Sequence, residues 1–492
     1  MTSTSDKLKS IRKATIALCL IVIIGLFSFR STISTEGYHL GKVQGIMENS
    51  QPNMLPENHS IYLPLNFKKY PFQSPFGVQM SVNTSGGLTK AVEAQTYWAH
   101  GPGIQWASVE PNPGDRNWAA LSGLETQLIN AAQNNISPIV AIVKAPSWAD
   151  AGGKTCGPIE PEDLNAFADF MYDVVLRYSN TPYNVQYWEI WNEPDVDPDL
   201  VGPDSWIGCW GDESDDYYGG GYYADMLKVV YPKIKDADPS AFVLFGGLLL
   251  DCDPTNPAGK DCKPAKFLEG ALRNGGGDYF DLLAFHGYPQ YFGVIHDWEM
   301  TFSESWQPRG GVVAGKAHFL REVMSNYGVD KPLFHVEGAL ICRAQFCPSG
   351  PTAQFLDGQA SYVPRLYIRN WADGYVGTIW FALKDTGWGR YEGMLDTGLN
   401  SRPAFEAYKF MSNLLLGFEF IEKLSIADPL VGYRFVNGTT TIYVYWSPSG
   451  TTGSVNLPTS GTVTIYDKLG IVLSEVDPYP IDFHPVYVVQ TP

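Results

Sequence analysis

A chain of 492 residues exceeds what one hydrophobic core organises, so at least two folded units are expected. With 45% hydrophobic and 17% charged residues and no long low-complexity tract, the composition excludes a disordered or fibrous protein. The net charge of −18 excludes nucleic acid as a partner, because phosphate binding needs a basic surface.

Taken from the N-terminus, Lys7, Lys9, Arg12 and Lys13 precede an almost wholly apolar run from Ala14 to Phe29, closed by Arg30. Positive residues ahead of such a run place the N-terminus in the cytoplasm and the bulk of the chain outside. The run of 16 residues is longer than most signal-peptide cores and shorter than a full span of about 20. An uncleaved signal anchor over residues 1–33 is expected, with a cleaved signal peptide as the alternative. A polar linker over 34–61 follows. The chain is thus expected to be extracytoplasmic, membrane-anchored by this segment or secreted.

From residue 62 to 417 short apolar strands alternate with helical patterns, the signature of βα units around a parallel sheet. Strands are predicted at Pro75–Met80, Ala94–Ala99, Pro138–Lys144, Val185–Trp191, Ala241–Gly247, Phe280–His286, Pro332–Glu337 and Tyr375–Phe381. Helical spacing of apolar residues marks Leu164–Tyr178, Lys316–Tyr327, Gln354–Trp371 and Arg402–Leu415. Eight strands with intervening helices predict an α/β fold, a (β/α)8 TIM barrel with enlarged loops. Over 418–492 the pattern changes to short alternating segments, from Val431–Phe435 to Val486–Val489, separated by Gly, Pro, Ser and Asn. They predict a small C-terminal antiparallel β-sandwich.

Cys156, Cys209, Cys252, Cys262, Cys342 and Cys347 form an even set in loop-like sequence. Cys252 with Cys262 and Cys342 with Cys347 can close short loops, which leaves Cys156 with Cys209 as the hypothesis among fifteen connectivities. No CxxC pair with zinc spacing is present, and an oxidising compartment fits best.

The chemistry gathers at strand ends. Tyr187-Trp188-Glu189-Ile190-Trp191 runs into Asn192-Glu193, and Pro194 cannot continue a ladder because it has no N–H. A carboxylate is thereby delivered to the C-terminal rim of the barrel, where chemistry sits. The sixth strand ends in His286-Gly287-Tyr288, the seventh in Glu337-Gly338, and the eighth at Trp380-Phe381. Two carboxylates about 5–5.5 Å apart are what retaining glycoside hydrolysis requires, one as nucleophile and one as acid and then base. At a richness of 14% aromatics, stacking surfaces for sugar rings are also in keeping with this chemistry, as is a large aromatic core.

In this order, Trp191-Asn192-Glu193-Pro194, His286-x-Tyr288, Glu337-Gly338 and Trp380 resemble the retaining glycoside hydrolases of clan A. The stretch Tyr187–Asp195 looks most like family 39, the group of β-xylosidases and some exopolysaccharide hydrolases, with family 5 next. The resemblance implies a retaining β-glycosidase acting on an oligo- or polysaccharide, with no metal or cofactor. It implies Glu193 as general acid/base, Glu337 as nucleophile, and Asn192 on the substrate 2-hydroxyl. It implies His286, Tyr288 and Trp380 as lining of the site, with Trp148 a further aromatic wall. The clan's arginine at the end of the second strand is here replaced by His100, whose charge depends on pH. A non-catalytic carbohydrate-binding protein on the same barrel and a transglycosidase are the rival readings.

Three further features have plainer expectations. His335 alternates with Glu337, and a core histidine is expected there. The acidic loop Asp195–Asp216, with Trp206, Trp210, Tyr217 and Tyr218, is expected as a wall of the substrate groove rather than a calcium loop. The loop Gly338–Thr352 is expected as another wall, and Asn58, Asn83, Asn135 and Asn437 sit in N-x-Ser/Thr sequons.

Overall fold

A computed structural model describes residues 74–196, 201, 207–250, 262–293, 306–342 and 344–492. The N-terminal segment, the linker, Asn58, Trp206 and Cys252 fall outside these residues. Eight parallel strands close into a barrel: β1 (Phe76–Gln79), β2 (Trp98–Gln105), β3 (Ser137–Val143), β4 (Tyr187–Asn192), β5 (Phe242–Leu248), β6 (Leu282–His286), β7 (Leu333–Gly338) and β8 (Thr378–Trp380). Each pairs with its neighbour in sequence, and β8 closes on β1 through Thr378 opposite Phe76. The strands are followed in turn by α1 (Leu88–Glu93), α2 (Ser122–Gln133), α3 (Leu164–Tyr178), α4 (Gly220–Ala237), α5 (Phe267–Arg273), α6 (Val312–Asn326), α7 (Ala353–Ala372) and α8 (Pro403–Leu414).

Seven of the expected strands coincide with observed ones to within a few residues; β2 is displaced. Residues 94–97 turn out of α1, with Gln95 at φ 49°, and β2 instead runs on through Gly101-Pro102-Gly103. That triplet reads as a turn in sequence. In the barrel it is an irregularity in the pairing with β3 between His100 and Gly103. Gly101 is required there, since its φ is +132° and a Cβ would lie 2.6 Å from the Met80 carbonyl oxygen.

The barrel wall is apolar on both sides, which is why its strands read as continuous hydrophobic runs. Inside, Trp98, Ile139, Tyr187, Leu244, Leu282, Phe334 and Ile379 form a plug. The Trp98 ring meets Tyr187 and Phe334 edge-on at centroid distances of 4.8 and 5.1 Å, and its indole N–H is satisfied by the Ser74 carbonyl. Outside, Trp188, Ile190, Phe245, Phe285 and Trp380 pack into the helix layer.

The C-terminal residues form the expected antiparallel unit. A six-stranded sheet is built from β9 (Glu419–Lys423), β10 (Val431–Asn437), β11 (Thr440–Trp446), β13 (Thr462–Tyr466), β14 (Val472–Leu473) and β16 (Val486–Thr491). A two-stranded sheet pairs β12 (Gly453–Val455) with β15 (Tyr479–Ile481). One face of the larger sheet packs on the barrel helices, with Phe435 5.0 Å from Trp371 and Tyr487 5.3 Å from Phe410. Its other face covers the small sheet through Tyr445, Ile465, Val488 and Ile481. Disulfides join Cys156 to Cys209 and Cys342 to Cys347, as expected.

Candidate active site

The end of β4 is turned rather than extended. Trp191 and Glu193 adopt φ of 68° and 47°, left-handed values that cost of order 1–3 kcal/mol each for a residue with a side chain. The surroundings hold them there. The Glu193 amide donates to the Gly247 carbonyl at 3.0 Å, the Gly208 amide to Asn192 at 2.5 Å, and the Trp191 indole to Cys156 at 2.8 Å. Asp195, wholly buried, accepts the amides of Leu249 and Leu250 at 2.8 and 2.7 Å and ties the β4 end to β5. Burial pushes its carboxyl up to about 6 despite those bonds. The result is a Glu193 side chain only 9% exposed, aimed into the mouth.

Glu337 arrives from β7 by a different device. Phe334 and Val336 face the plug, so strict alternation would send Glu337 outward with His335. The pairing with β6 shifts between Phe285 opposite His335 and His286 opposite Glu337, and this irregularity turns Glu337 inward. His335 is left against Phe285 and Asn370 in the helix layer. Burial, followed by the charges of His286 and Lys316, lowers its ring to about 3, so it is a neutral core histidine.

His286 stands between the two carboxylates. Its Nδ1 lies 2.7 Å from Glu193 Oε1 and 3.4 Å from Glu337 Oε2. Burial alone would lower the ring, but the charge of Glu337 and the bond to Glu193 outweigh it and push it up to about 9. Tyr288 donates its hydroxyl to Glu337 Oε2 at 2.5 Å. On the other side His100 Nδ1 is 3.7 Å from Glu337 Oε1, while its Nε2 reaches the buried Glu189 at 2.7 Å. Burial, with the charge of Glu193 beside it, holds Glu337 above the usual carboxylate range, although the charges of His286 and His100 and the Tyr288 hydroxyl act against it.

A cavity of about 650 Å³ opens above these groups. Asn192, Glu193, His100, Tyr288 and Glu337 line it, and His286 lies directly beneath. The two tryptophans expected as walls do not line it. Trp380 points into the helix layer, 6.0 Å from Tyr362, with its indole on the Glu392 carbonyl. The cause is alternation along β8: Ile379 faces the plug, Trp380 faces out, and Phe381 lines the cavity. Trp148 packs edge-on to Trp106 and donates to the Glu110 carbonyl. The aromatic wall is supplied instead by Phe381 and by Trp388, which is 50% exposed and 5.8 Å from Tyr288.

Among the described residues of the acidic loop, Trp210 and Tyr218 are core residues, Tyr217 stacks under Arg273, and Ile207 lines the cavity. Within the described part of Gly338–Thr352, the residues Ile341–Cys342 pair with Gln290–Tyr291 rather than lining the cavity.

Glu189, Gln79, Phe381 and Trp388 were not singled out from the sequence. Glu189 did carry a signal: it is the lone charge within an apolar strand, two residues beyond the inward-facing Tyr187. One oxygen or nitrogen atom from each of Glu193, His286 and Glu337 lies within 4.8 Å of the others.

No protein-family model matches the chain, and none of the curated protein sequences matches it. Solved structures do. A family 39 glycoside hydrolase from the gut symbiont Bacteroides cellulosilyticus WH2 matches 85% of this chain and 81% of its own, with TM-score 0.65 at 20% identity. A family 30 subfamily 8 xylanase from Clostridium acetobutylicum matches 85% and 96%, with TM-score 0.56 at 12% identity. A conserved exported protein from Bacteroides fragilis matches 85% and 97%, with TM-score 0.58 at 11% identity. This chain therefore has the fold of the family 39 and family 30 glycoside hydrolases, in agreement with the resemblance carried by its strand-end motifs.

Proposed function

We propose that the protein is an extracytoplasmic retaining β-glycosidase that hydrolyses O-glycosidic bonds of an oligo- or polysaccharide. The observation that carries this reading is the approach of Glu193 and Glu337, one oxygen of each within 4.8 Å at the mouth of the barrel. That spacing is in keeping with the retaining geometry of about 5–5.5 Å rather than with the separation of about 6.5–9.5 Å in inverting enzymes.

In the first step Glu337 attacks the anomeric carbon while Glu193 gives its proton to the departing oxygen. In the second, Glu193 takes a proton from water, which displaces the sugar from Glu337. The division of roles follows the strand-end motifs, and the donors support it. Tyr288, His100 and His286 all face Glu337 and act against the upward push of burial on its carboxyl, whereas Glu193 meets His286 alone among these three. Asn192 lies beside Glu193 on the cavity wall, where it would meet the sugar's 2-hydroxyl. Trp388 and Phe381 offer the flat apolar faces on which a sugar ring stacks. The two disulfides, and the basic-then-apolar N-terminal sequence, support a location outside the cytoplasm.

A panel of aryl β-glycosides tests the reading on the wild type, Glu193→Ala and Glu337→Ala. Wild-type activity unaffected by either change sinks it. Azide should rescue Glu193→Ala and yield a β-glycosyl azide, the retained product. Binding of glycans without turnover would favour a lectin-like barrel, and transfer to sugar acceptors in preference to water a transglycosidase.

A further inference from the structure

One buried carboxylate has no part in the double displacement. Glu189 lies on the inner face of β4, two residues above Tyr187 of the plug, and is wholly buried. Its Oε1 accepts the Gly247 amide at 2.8 Å, and its Oε2 faces His100 Nε2 at 2.7 Å. A backbone amide can only donate, so Oε1 must accept. The other face of the His100 ring also meets oxygens: Gln79 Oε1 at 2.8 Å and Glu337 Oε1 at 3.7 Å from Nδ1. Turning the Gln79 amide over would remove the first of these and leave the second. Both ring nitrogens thus face carboxylates, and a neutral imidazole has only one N–H to give.

We infer that Glu189 is a positioning residue that keeps His100 doubly protonated, so that the histidine serves Glu337 as a fixed cation where the clan carries arginine. The inference rests on the glycosidase reading above. The groups facing His100 are Glu189 from β4, Gln79 from β1, Glu337 from β7 and, at longer range, His286 from β6. Burial and the charge of His286 act against the cation; Glu189 first, then Glu337, act for it, and the net direction is upward.

The geometry of the cluster supports the assignment. His100 stands between Glu189 and Glu337, and His286 between Glu337 and Glu193, so each buried ring meets two carboxyl groups. Removing the Glu189 charge would leave Glu337 opposite a neutral ring and raise the pH at which it ionises. Arginine needs no such support, because it stays charged at any working pH.

The test combines nitrogen-15 spectra of the protein's 8 histidines with pH profiles of wild type and Glu189→Gln. The His100 signal is identified by its loss in His100→Asn. In the wild type at pH 7 both His100 nitrogens should carry imidazolium shifts. In Glu189→Gln one nitrogen should move to the unprotonated position, because the amide can present NH2 to Nε2. The acid limb of kcat/KM should then move up by about one pH unit or more.

A neutral His100 in the wild type overturns the inference, as does a cation that survives Glu189→Gln. A uniform loss of activity with an unmoved acid limb overturns it too, since that is what a merely structural role gives. Should Glu189→Gln not fold, the wild-type titration still decides: His100 either stays doubly protonated above its ordinary value of 6.5 or does not. A wild type that turns over no glycoside overturns the proposed function instead, and the ring's protons are read in either case.

Discussion

His286 and His335 are both wholly buried, on adjacent strands β6 and β7, yet they live in opposite media. His286 faces the mouth among Glu193, Glu337 and Glu189, and its ring is pushed up to about 9. His335 faces the helix layer beside Phe285, and its ring falls to about 3. Burial is equal, so burial cannot explain the difference. The neighbours do: a desolvated imidazole takes a proton only where carboxylates repay its lost hydration. The same contrast divides the barrel at large. Its plug and its helix-facing wall are held by apolar packing, whereas its mouth gathers the titratable groups Glu189, Glu193, Glu337, His100, His286 and Tyr288.

The largest expected effects break that contrast from each side. Glu337→Ala should lower kcat by more than roughly 10⁴-fold in protein that still folds, as loss of a covalent nucleophile does. Leu244→Ala in the plug should do the reverse, costing about 2–5 kcal/mol of stability while the folded fraction keeps its kcat. Denaturant titration beside steady-state kinetics reads both. A mouth variant that unfolds the protein without touching catalysis would erase the division.

Gly247→Ala should strike both regions at once. Its Cβ would lie 2.3 Å from His286 Nε2 and 3.0 Å from Glu189 Oε1, while the backbone it perturbs holds the Glu193 amide. A stability loss of about 1–3 kcal/mol is expected, together with a fall in kcat that persists in the folded fraction.

The histidines themselves predict opposite pH dependence of stability. The folded value of His286 is raised, so its contribution is complete below 6.5 and is lost as pH climbs toward 9. The folded value of His335 is depressed, so its contribution is present above 6.5 and is lost as pH falls toward 3. His286→Gln should flatten the alkaline side of a Tm-against-pH curve and His335→Gln the acid side. Equal flattening on both sides by either variant would contradict the assignment of media.

The smallest effect separates the two tryptophans. Trp388→Ala should raise KM roughly two- to tenfold, the worth of one stacking face, with little change in Tm. Trp380→Phe, buried behind the wall, should leave KM alone and lower Tm.

The barrel was legible because an apolar run bounded by turn residues is a local property, and eight of them alternate with helical patterns over 62–417. The helix Leu164–Tyr178 coincides with α3 to the residue. The Gly101-Pro102-Gly103 segment misled, since a bulge within a barrel strand and a free turn use the same residues. In the C-terminal unit β9, β14 and β15 were not foreseen; two are short, and β9 is mostly exposed.

For the site, order along the chain was enough to name Glu193, Glu337, His286, Tyr288 and Asn192, because parallel strands bring successive C-terminal ends to one rim. The sequence by itself determined which chemical groups that rim carries. Which way each side chain points, and what charge it holds, only the tertiary structure decided. One register shift turns Glu337 inward, strict alternation turns Trp380 outward, and Phe381 and Trp388 take the aromatic role instead. His100 read as a pH-dependent stand-in for arginine until Glu189 was placed 2.7 Å away. A proton's free energy depends on distance to charge and water, and neither is written in residue order.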